Sequence, residues 1–225
     1  VGLSLEEVEL RVTGADEVER LVGDRVRVAL SVDEAPLIRW TLARLGEREW
    51  MLVQVEHHLI HDGWSFTVFV RELSEPYSAR VEGRAAILPA PELRFRDYAL
   101  WERELAGTAG FAEQLEHWKR VLDPDAGPIE LPMASRRGPV ESFEGSSIRR
   151  RMEAPAPAVL AEAARAEGAT MFMAAFAAFA ALLHRHSGRE DLQIGSGVAN
   201  RGEPATHDLI GMLVNTLVLR IDLSG

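Results

Sequence analysis

The chain contains no cysteine. That excludes disulfides, thiolate metal sites and a cysteine nucleophile, and fits a reducing, cytoplasmic setting. Basic charge is scarce as well: 25 Lys and Arg stand against 35 Asp and Glu, a net charge of −10. Phosphate binding needs a basic surface, so no nucleic-acid partner is expected. No apolar run approaches the roughly 20 residues of a membrane span, so no membrane association is expected. The first residues, Val1-Gly2-Leu3-Ser4, include neither an initiator Met nor the basic and apolar regions of a signal peptide, so the chain reads as a piece of something longer. There is no Gly-x-x-x-x-Gly-Lys phosphate loop and no Gly-x-Ser-x-Gly nucleophile elbow. Gly195-Ser196-Gly197 comes nearest to the elbow and reads as a strand serine beside glycines. Repeats and low-complexity tracts are absent.

What remains is an ordinary globular composition, 47% hydrophobic and 27% charged over 225 residues, enough for one or two domains. Residues 1–24 read as helix and loop. Arg25 to Val32 alternates like a half-buried strand. Ile38 to Leu42, a turn at Gly46-Glu47-Arg48-Glu49 and Trp50 to Glu56 read as a β-hairpin. The second strand is apolar enough for both faces to be covered. Phe66, Phe69, Val70, Leu73 and Tyr77 then recur at helical spacing, with Ser65 as N-cap and Pro76 as a point where the helix kinks or ends. Residues 80–94 read as loop, and two amphipathic helices follow near Phe95–Ala106 and Phe111–Leu122. Asp123 to Gly145 is rich in Pro and Gly and reads as a linker. Beyond it come a strand at Ser146–Met152, a helix at Pro155–Glu167 stopped by Gly168, and an apolar core helix from Thr170 to about His186. Gln193–Ala199 and Leu213–Asp222 read as further strands. The alternation implies an α/β layered fold.

Three of the seven histidines fall in one stretch, His57-His58-Leu59-Ile60-His61-Asp62-Gly63-Trp64-Ser65, directly after the hairpin. A histidine at a strand end can act as base, proton shuttle or hydrogen-bond donor near neutral pH. Asp62 can orient it, or pair with an arginine and hold the loop in shape. Gly63 offers a turn with positive φ and close backbone approach to a substrate. His57 and His61 are spaced i, i+4 as in a His-Glu-x-x-His zinc site, but the glutamate is missing and His57-His58 leave a strand, where neighbours point to opposite faces. No metal is therefore expected. On their own, His57 reads as a core histidine and His61 as a solvated loop residue.

The stretch resembles the His-His-x-x-x-Asp-Gly signature of condensation domains of nonribosomal peptide synthetases, within the chloramphenicol acetyltransferase-like superfamily. Three more segments agree in the same order. Arg96-Asp97-Tyr98-Ala99-Leu100-Trp101 resembles an Asp-Tyr-Ala-x-Trp segment, and Gly195 to Arg201 is similar in kind to another. Ile210-Gly211-Met212-Leu213-Val214-Asn215-Thr216 resembles Ile-Gly-x-Phe-Val-Asn-Thr, with Leu213 replacing the aromatic. The resemblance implies an α/β fold of two acetyltransferase-like subdomains, a pseudo-dimer incomplete at both ends here. Residues 1–122 would belong to the N-terminal subdomain with the active-site loop, 123–145 to a linker and 146–225 to the C-terminal subdomain.

It also implies a reaction: an upstream carrier-bound acyl or peptidyl thioester is joined to the amine of a downstream carrier-bound aminoacyl thioester. The substrates ride on phosphopantetheine arms of the two peptidyl carrier proteins, beside an adenylation domain, and the domain binds no cofactor of its own. The implied catalytic residues are His58, Asp62 and Gly63, with His57, Trp64, Ser65 and Asn215 facing substrate. Asp62 would brace the loop through an arginine, with Arg149, Arg150 and Arg151 as candidates. An acyl-CoA-dependent acyltransferase and a non-catalytic recruitment domain are the competing functions.

Overall fold

A computed structural model of the chain describes residues 5–9, 15–132, 140 and 145–224. Its contacts divide it into two compact units, Val1–Thr108 with Val198–Asn215, and Ala109–Gly197 with Thr216–Gly225. The division does not follow the Pro- and Gly-rich segment. Instead, a stretch from near the end of the chain joins the first unit.

The first unit is built on a three-stranded sheet in the order β1 (Leu5–Glu9), β2 (Ile38–Arg44), β3 (Trp50–Glu56). β1 runs parallel to β2, and β2 pairs antiparallel with β3 in a register that sets Trp40 opposite Gln54 and Ile38 opposite Glu56. The hairpin is thus where alternation placed it. β1 corrects the reading of residues 1–24 as helix and loop. A helix, α1 (Ala15–Arg27), crosses from β1 to β2 and absorbs the first residues of the expected strand at Arg25–Val32. The helix carries Asp16 and Glu17 in its first turn and Arg25 and Arg27 in its last, which suits its dipole at both ends. Among the described residues those after it pair with no strand, and Val28 and Val32 stand exposed. Arg25 instead ties α1 to the sheet: its Nη2 donates to Glu6 Oε1 on β1 at 2.6 Å, and its Nε to the buried Thr41 hydroxyl on β2 at 3.3 Å. β3 is not covered on both faces either; Val53 is buried, whereas Trp50 and Leu52 are exposed.

β3 leads through a short 3-10 turn, His58–Ile60, into α2 (Gly63–Glu82). Its N-cap is Asp62 rather than Ser65, and the helix continues through Pro76 to Gly83. The expected apolar stripe is not the buried one. Ser65, Val68 and Ala79 face inward, while Phe66, Val70, Leu73 and Tyr77 are exposed. α3 (Phe95–Leu105) follows, and Tyr98 on it forms a small buried cluster with Leu209 and Leu213.

The second unit holds α4 (Ala109–Val121), α5 (Ala156–Ala166), α6 (Met171–Ser187) and the paired strands β4 (Asp191–Val198) and β5 (Asn215–Asp222). Both late helices start within a residue of where they are expected, α5 just after Pro155 and α6 after its cap Thr170; the Thr170 hydroxyl accepts from the Met173 amide at 3.2 Å. The two helices turn on each other by 108°. The expectation that α6 is core on most sides does not hold: Ala180 is buried, but Phe172, Phe179 and Leu182 are exposed. Ser146–Met152 forms no strand among the described residues, and Ile148 and Met152 are exposed. The start of the Pro- and Gly-rich segment is tethered. Gln193 Nε2 donates to the Asp123 carbonyl at 2.9 Å and Arg189 Nη1 to that of Gly127 at 2.6 Å. Much of its remainder, at 133–139 and 141–144, lies outside the described residues. Among the described residues no single helix is long and apolar enough to cross a membrane.

Glycine substitutions separate these backbones by sign. Gly83 and Gly188 close α2 and α6 at φ +69° and +70°. Alanine at either position should lower unfolding free energy by about 1–2 kcal/mol. Gly23 lies inside α1, where a Cβ meets only the tip of Arg27 at 3.9 Å. Alanine there should raise stability by about 0.5–1 kcal/mol, as measured by chemical denaturation.

Candidate active site

The loop after β3 is anchored at its start through His57. His57 N–H donates to the Leu37 carbonyl at 2.9 Å, continuing the hairpin by one bond, and His57 Nδ1 accepts from the Leu59 amide at 3.2 Å to cap the 3-10 turn. The turn brings His58 Nδ1 to 2.7 Å from the carbonyl of His61. A carbonyl only accepts, so Nδ1 carries the proton and the neutral ring is left with a lone pair on Nε2. The His58 side chain is exposed. The loop therefore offers an open imidazole in a single tautomer. His61 is not solvated: its ring is mostly buried, with Nδ1 2.7 Å from Glu56 Oε1.

Asp62, next along, is one of the most enclosed residues of the fold. Its Oδ1 accepts the Ser65 amide at 2.8 Å and the Ser65 hydroxyl at 2.7 Å, while Oδ2 accepts the Leu213 amide at 3.1 Å. Arg201 Nη2 reaches both oxygens, at 3.0 and 3.1 Å, and both side chains of the pair are essentially free of solvent. Arg201 replaces the expected partners; Arg149, Arg150 and Arg151 are all exposed. It is fixed from behind by Nη1 donating to the carbonyls of Thr206 and Leu209. Burial pushes the Asp62 carboxyl up, but the Ser65 amide and hydroxyl, the Leu213 amide and Arg201 outweigh it and hold the group below the ordinary carboxylate value.

Ser65 belongs to the same brace. Its hydroxyl is fully buried between Asp62, Arg201 Nη2 at 3.0 Å and both backbone atoms of Gly211, at 2.9 and 3.0 Å. This corrects its expected place facing substrate, since no hydrogen-bonding capacity remains for a ligand. Trp64 is half exposed; its Nε1 donates to the His207 carbonyl at 2.9 Å, and the Arg201 guanidinium lies 5.7 Å from its ring centre. Gly63 begins α2 and has no positive φ, which corrects the turn expected there. A Cβ at Gly63 would meet nothing within 4 Å. Its amide is one of the first-turn N–H groups without a partner in the helix. Asn215, the first residue of β5, is exposed.

The other sequence motifs turn out to be the walls of this brace. Asn200, at φ 53°, donates from Nδ2 to the Tyr98 hydroxyl at 2.8 Å, joining the segment before Arg201 to α3. Burial, followed by the neighbouring Glu102, raises the pKa of Tyr98. Gly211 is packed so closely that a Cβ would lie 2.2 Å from Phe95 Cδ2. Among the described residues no group of three or more His, Asp or Glu side chains is placed to hold a metal ion. Sequence reasoning missed Arg201 and Glu56. Arg201 ends a segment that had already attracted notice, but nothing local ties it to a carboxylate 139 residues away.

Comparison with known proteins identifies the family to which a chain carrying this site belongs. The condensation-domain family matches residues 2–225, and the chain belongs to that family. It is 39% identical over 222 residues to a linear gramicidin synthase of Brevibacillus parabrevis, covering 97% of this chain and 4% of that protein. It is 36% identical over 224 residues to a dimodular nonribosomal peptide synthase of Bacillus subtilis (strain 168), covering 96% and 9%. Among solved structures, the X-domain from teicoplanin biosynthesis superposes with a TM-score of 0.88 at 29% identity, covering all of this chain and 50% of that one. The chain thus spans half of that structure and a small part of the synthetases.

Removing one partner of a buried ion pair leaves an uncompensated charge, so Asp62→Ala or Arg201→Ala should each cost about 3–5 kcal/mol in denaturant unfolding. The native pKa of Asp62 is depressed, so its contribution is complete above the ordinary carboxylate range. It is lost as pH falls through that range to the lower native value. Asp62→Asn should therefore flatten the acid limb of the stability profile. Gly211→Ala should cost about 1–3 kcal/mol through overpacking against Phe95.

Proposed function

We propose that this chain forms the central part of an amide-forming condensation domain. The reaction joins an upstream carrier-bound acyl or peptidyl thioester to the amine of a downstream carrier-bound aminoacyl thioester. The observation that carries this reading is the exposed His58, whose Nδ1 is tied to the His61 carbonyl at 2.7 Å so that Nε2 is free to accept a proton. An α-amino group has a pKa of about 8, so roughly a fifth of it is already the neutral nucleophile at a pH of about 7.4. The demand on His58 is correspondingly modest. Its Nε2 positions the amine, takes a proton as the C–N bond forms, and returns a proton to the sulfur as the C–S bond breaks. The Gly63 amide, at the N-terminal end of α2, faces the developing oxyanion. His57, Trp64 and Asn215 line the substrate path, and Asp62 supports the loop from behind.

The subdomain assignment, 1–122 and 146–225 around a linker at 123–145, belongs to this proposal with two amendments: 109–122 groups with the C-terminal part and 198–215 with the N-terminal part. Carrier proteins bearing phosphopantetheine, an adjacent adenylation domain and a cytoplasmic setting belong to it too. One observation favours a second reading. The chain resembles, at 27% identity and a TM-score of 0.84, a structure described as the complex of the X-domain and OxyB from teicoplanin biosynthesis. That likeness is compatible with a domain that recruits a partner enzyme without catalysing condensation.

The test loads carrier proteins with acyl and aminoacyl groups, adds the full-length protein and seeks the amide by mass spectrometry. Amide from the carrier-bound donor supports the proposal. Product only from a CoA thioester would indicate an acyl-CoA-dependent transferase, and partner binding without product a recruitment domain. His58→Ala should lower the rate by about 10²–10⁴-fold with unchanged melting. Gly63→Ala, whose Cβ meets only open space, should fold normally yet lose turnover because the methyl group occupies the approach of the thioester.

A further inference from the structure

The geometry points to Glu56 as a positioning residue that sets the tautomer and direction of His58 through His61. This inference rests on His58 being the reactive imidazole. The carbonyl that receives His58 Nδ1–H belongs to the peptide joining His61 to Asp62. That peptide must be held still if the tautomer is to be held, and it is gripped from both sides. On the Asp62 side the grip is the buried arginine brace. On the His61 side it is a polar line drawn from the sheet. Trp40 Nε1 on β2 donates to Gln54 Oε1 at 2.9 Å, and Gln54 Nε2 on β3 donates to Glu56 Oε2 at 2.9 Å. Glu56 Oε1 then receives His61 Nδ1 at 2.7 Å. Gln54 and Glu56 sit two residues apart on one strand and so share a face.

Among the described residues nothing else polar fixes the His61 ring. Its Nε2 is buried with no hydrogen-bond partner there, and its other ring contact is an edge-to-face one with Phe66, at 6.1 Å. Without the Glu56 carboxylate, the ring has two buried nitrogens and no partner for either. The least costly relief is rotation of His61 toward water, which swings the 61–62 peptide and takes the acceptor away from His58 Nδ1. The chemistry does not touch Glu56. Its effect reaches the reaction only by deciding which nitrogen of His58 is bare.

The experiment uses the full-length protein with ¹⁵N-labelled histidine and three variants, Glu56→Ala, Glu56→Gln and His61→Phe, each checked for native melting. In the parent, His58 should show the nitrogen signature of a single tautomer, protonated at Nδ1. Glu56→Ala and His61→Phe should both turn this into a mixture and lower kcat about tenfold with KM for the carrier-bound substrates unchanged. Glu56→Gln retains an acceptor oxygen for His61 and should restore the single tautomer and most of the rate. The double variant Glu56→Ala/His61→Phe should be no worse than either single one. A folded Glu56→Ala protein with the parental tautomer signature overturns the inference; should that variant not fold, the parental signature in His61→Phe overturns it equally. The signature needs no turnover, so a protein that makes no amide refutes the proposed function and leaves this result readable.

Discussion

The carboxylate of Asp62 and the guanidinium of Arg201 are both withdrawn from water, and neither charge is tolerable there without the other. Their pairing joins residues 139 apart in the chain and pulls the stretch from Val198 to Asn215 onto the first compact unit. The pair is not isolated. Ser65 and Leu213 complete the hydrogen bonds that a buried carboxylate requires, Gly211 holds the Ser65 hydroxyl, and Thr206 and Leu209 hold the far side of the arginine. An apolar replacement of similar volume can often match such a pair in stability. What it cannot supply is direction. Asp62 also caps α2, so the same carboxylate that meets Arg201 sets where the helix begins.

That double duty explains how a short loop becomes a site. Helix α2 is aimed by its cap, the 61–62 peptide is fixed by the residues on either side of it, and His58 is left with one proton acceptor within reach of Nδ1. The imidazole itself stays open to solvent. Rigid support beneath an accessible base is what the proposed acyl transfer asks for, because with a nucleophile already partly neutral it depends on placement more than on basicity. The glycines divide along the same line. Gly211 is small because Phe95 presses on it, whereas Gly63 is small with nothing pressing on it.

Much of this was legible in the chain. The hairpin, α3, α4, α5 and α6 announce themselves by alternation, caps and helical spacing, all of which are local. The stretch His57–Ser65 stands out by residue type and order. What escaped was non-local. Arg201 carries no mark of a partner 139 residues back, whereas Arg149–Arg151 are conspicuous as a run and stand exposed. Arg25–Val32 alternates as a strand does, but its first residues complete a helix whose dipole they suit. The Phe66–Tyr77 stripe obeys helical period and yet faces outward, because the buried face of α2 is the one that carries Ser65, Val68 and Ala79, and Ser65 is drawn into the brace. Glu56 went unnoticed for a similar reason. At the end of an apolar strand it reads as a solvent-facing charge, and only the fold of the loop brings His61 back to it.

The most direct measurement is a double-mutant cycle on the buried pair, with Asp62→Ala, Arg201→Ala and the double variant compared in denaturant unfolding. If the two charges form one unit, the double variant should be little worse than either single one, with a coupling of about 2 kcal/mol or more. Losses that simply add would show that Asp62 and Arg201 act separately, and would contradict an account in which their contact holds the histidine loop in place.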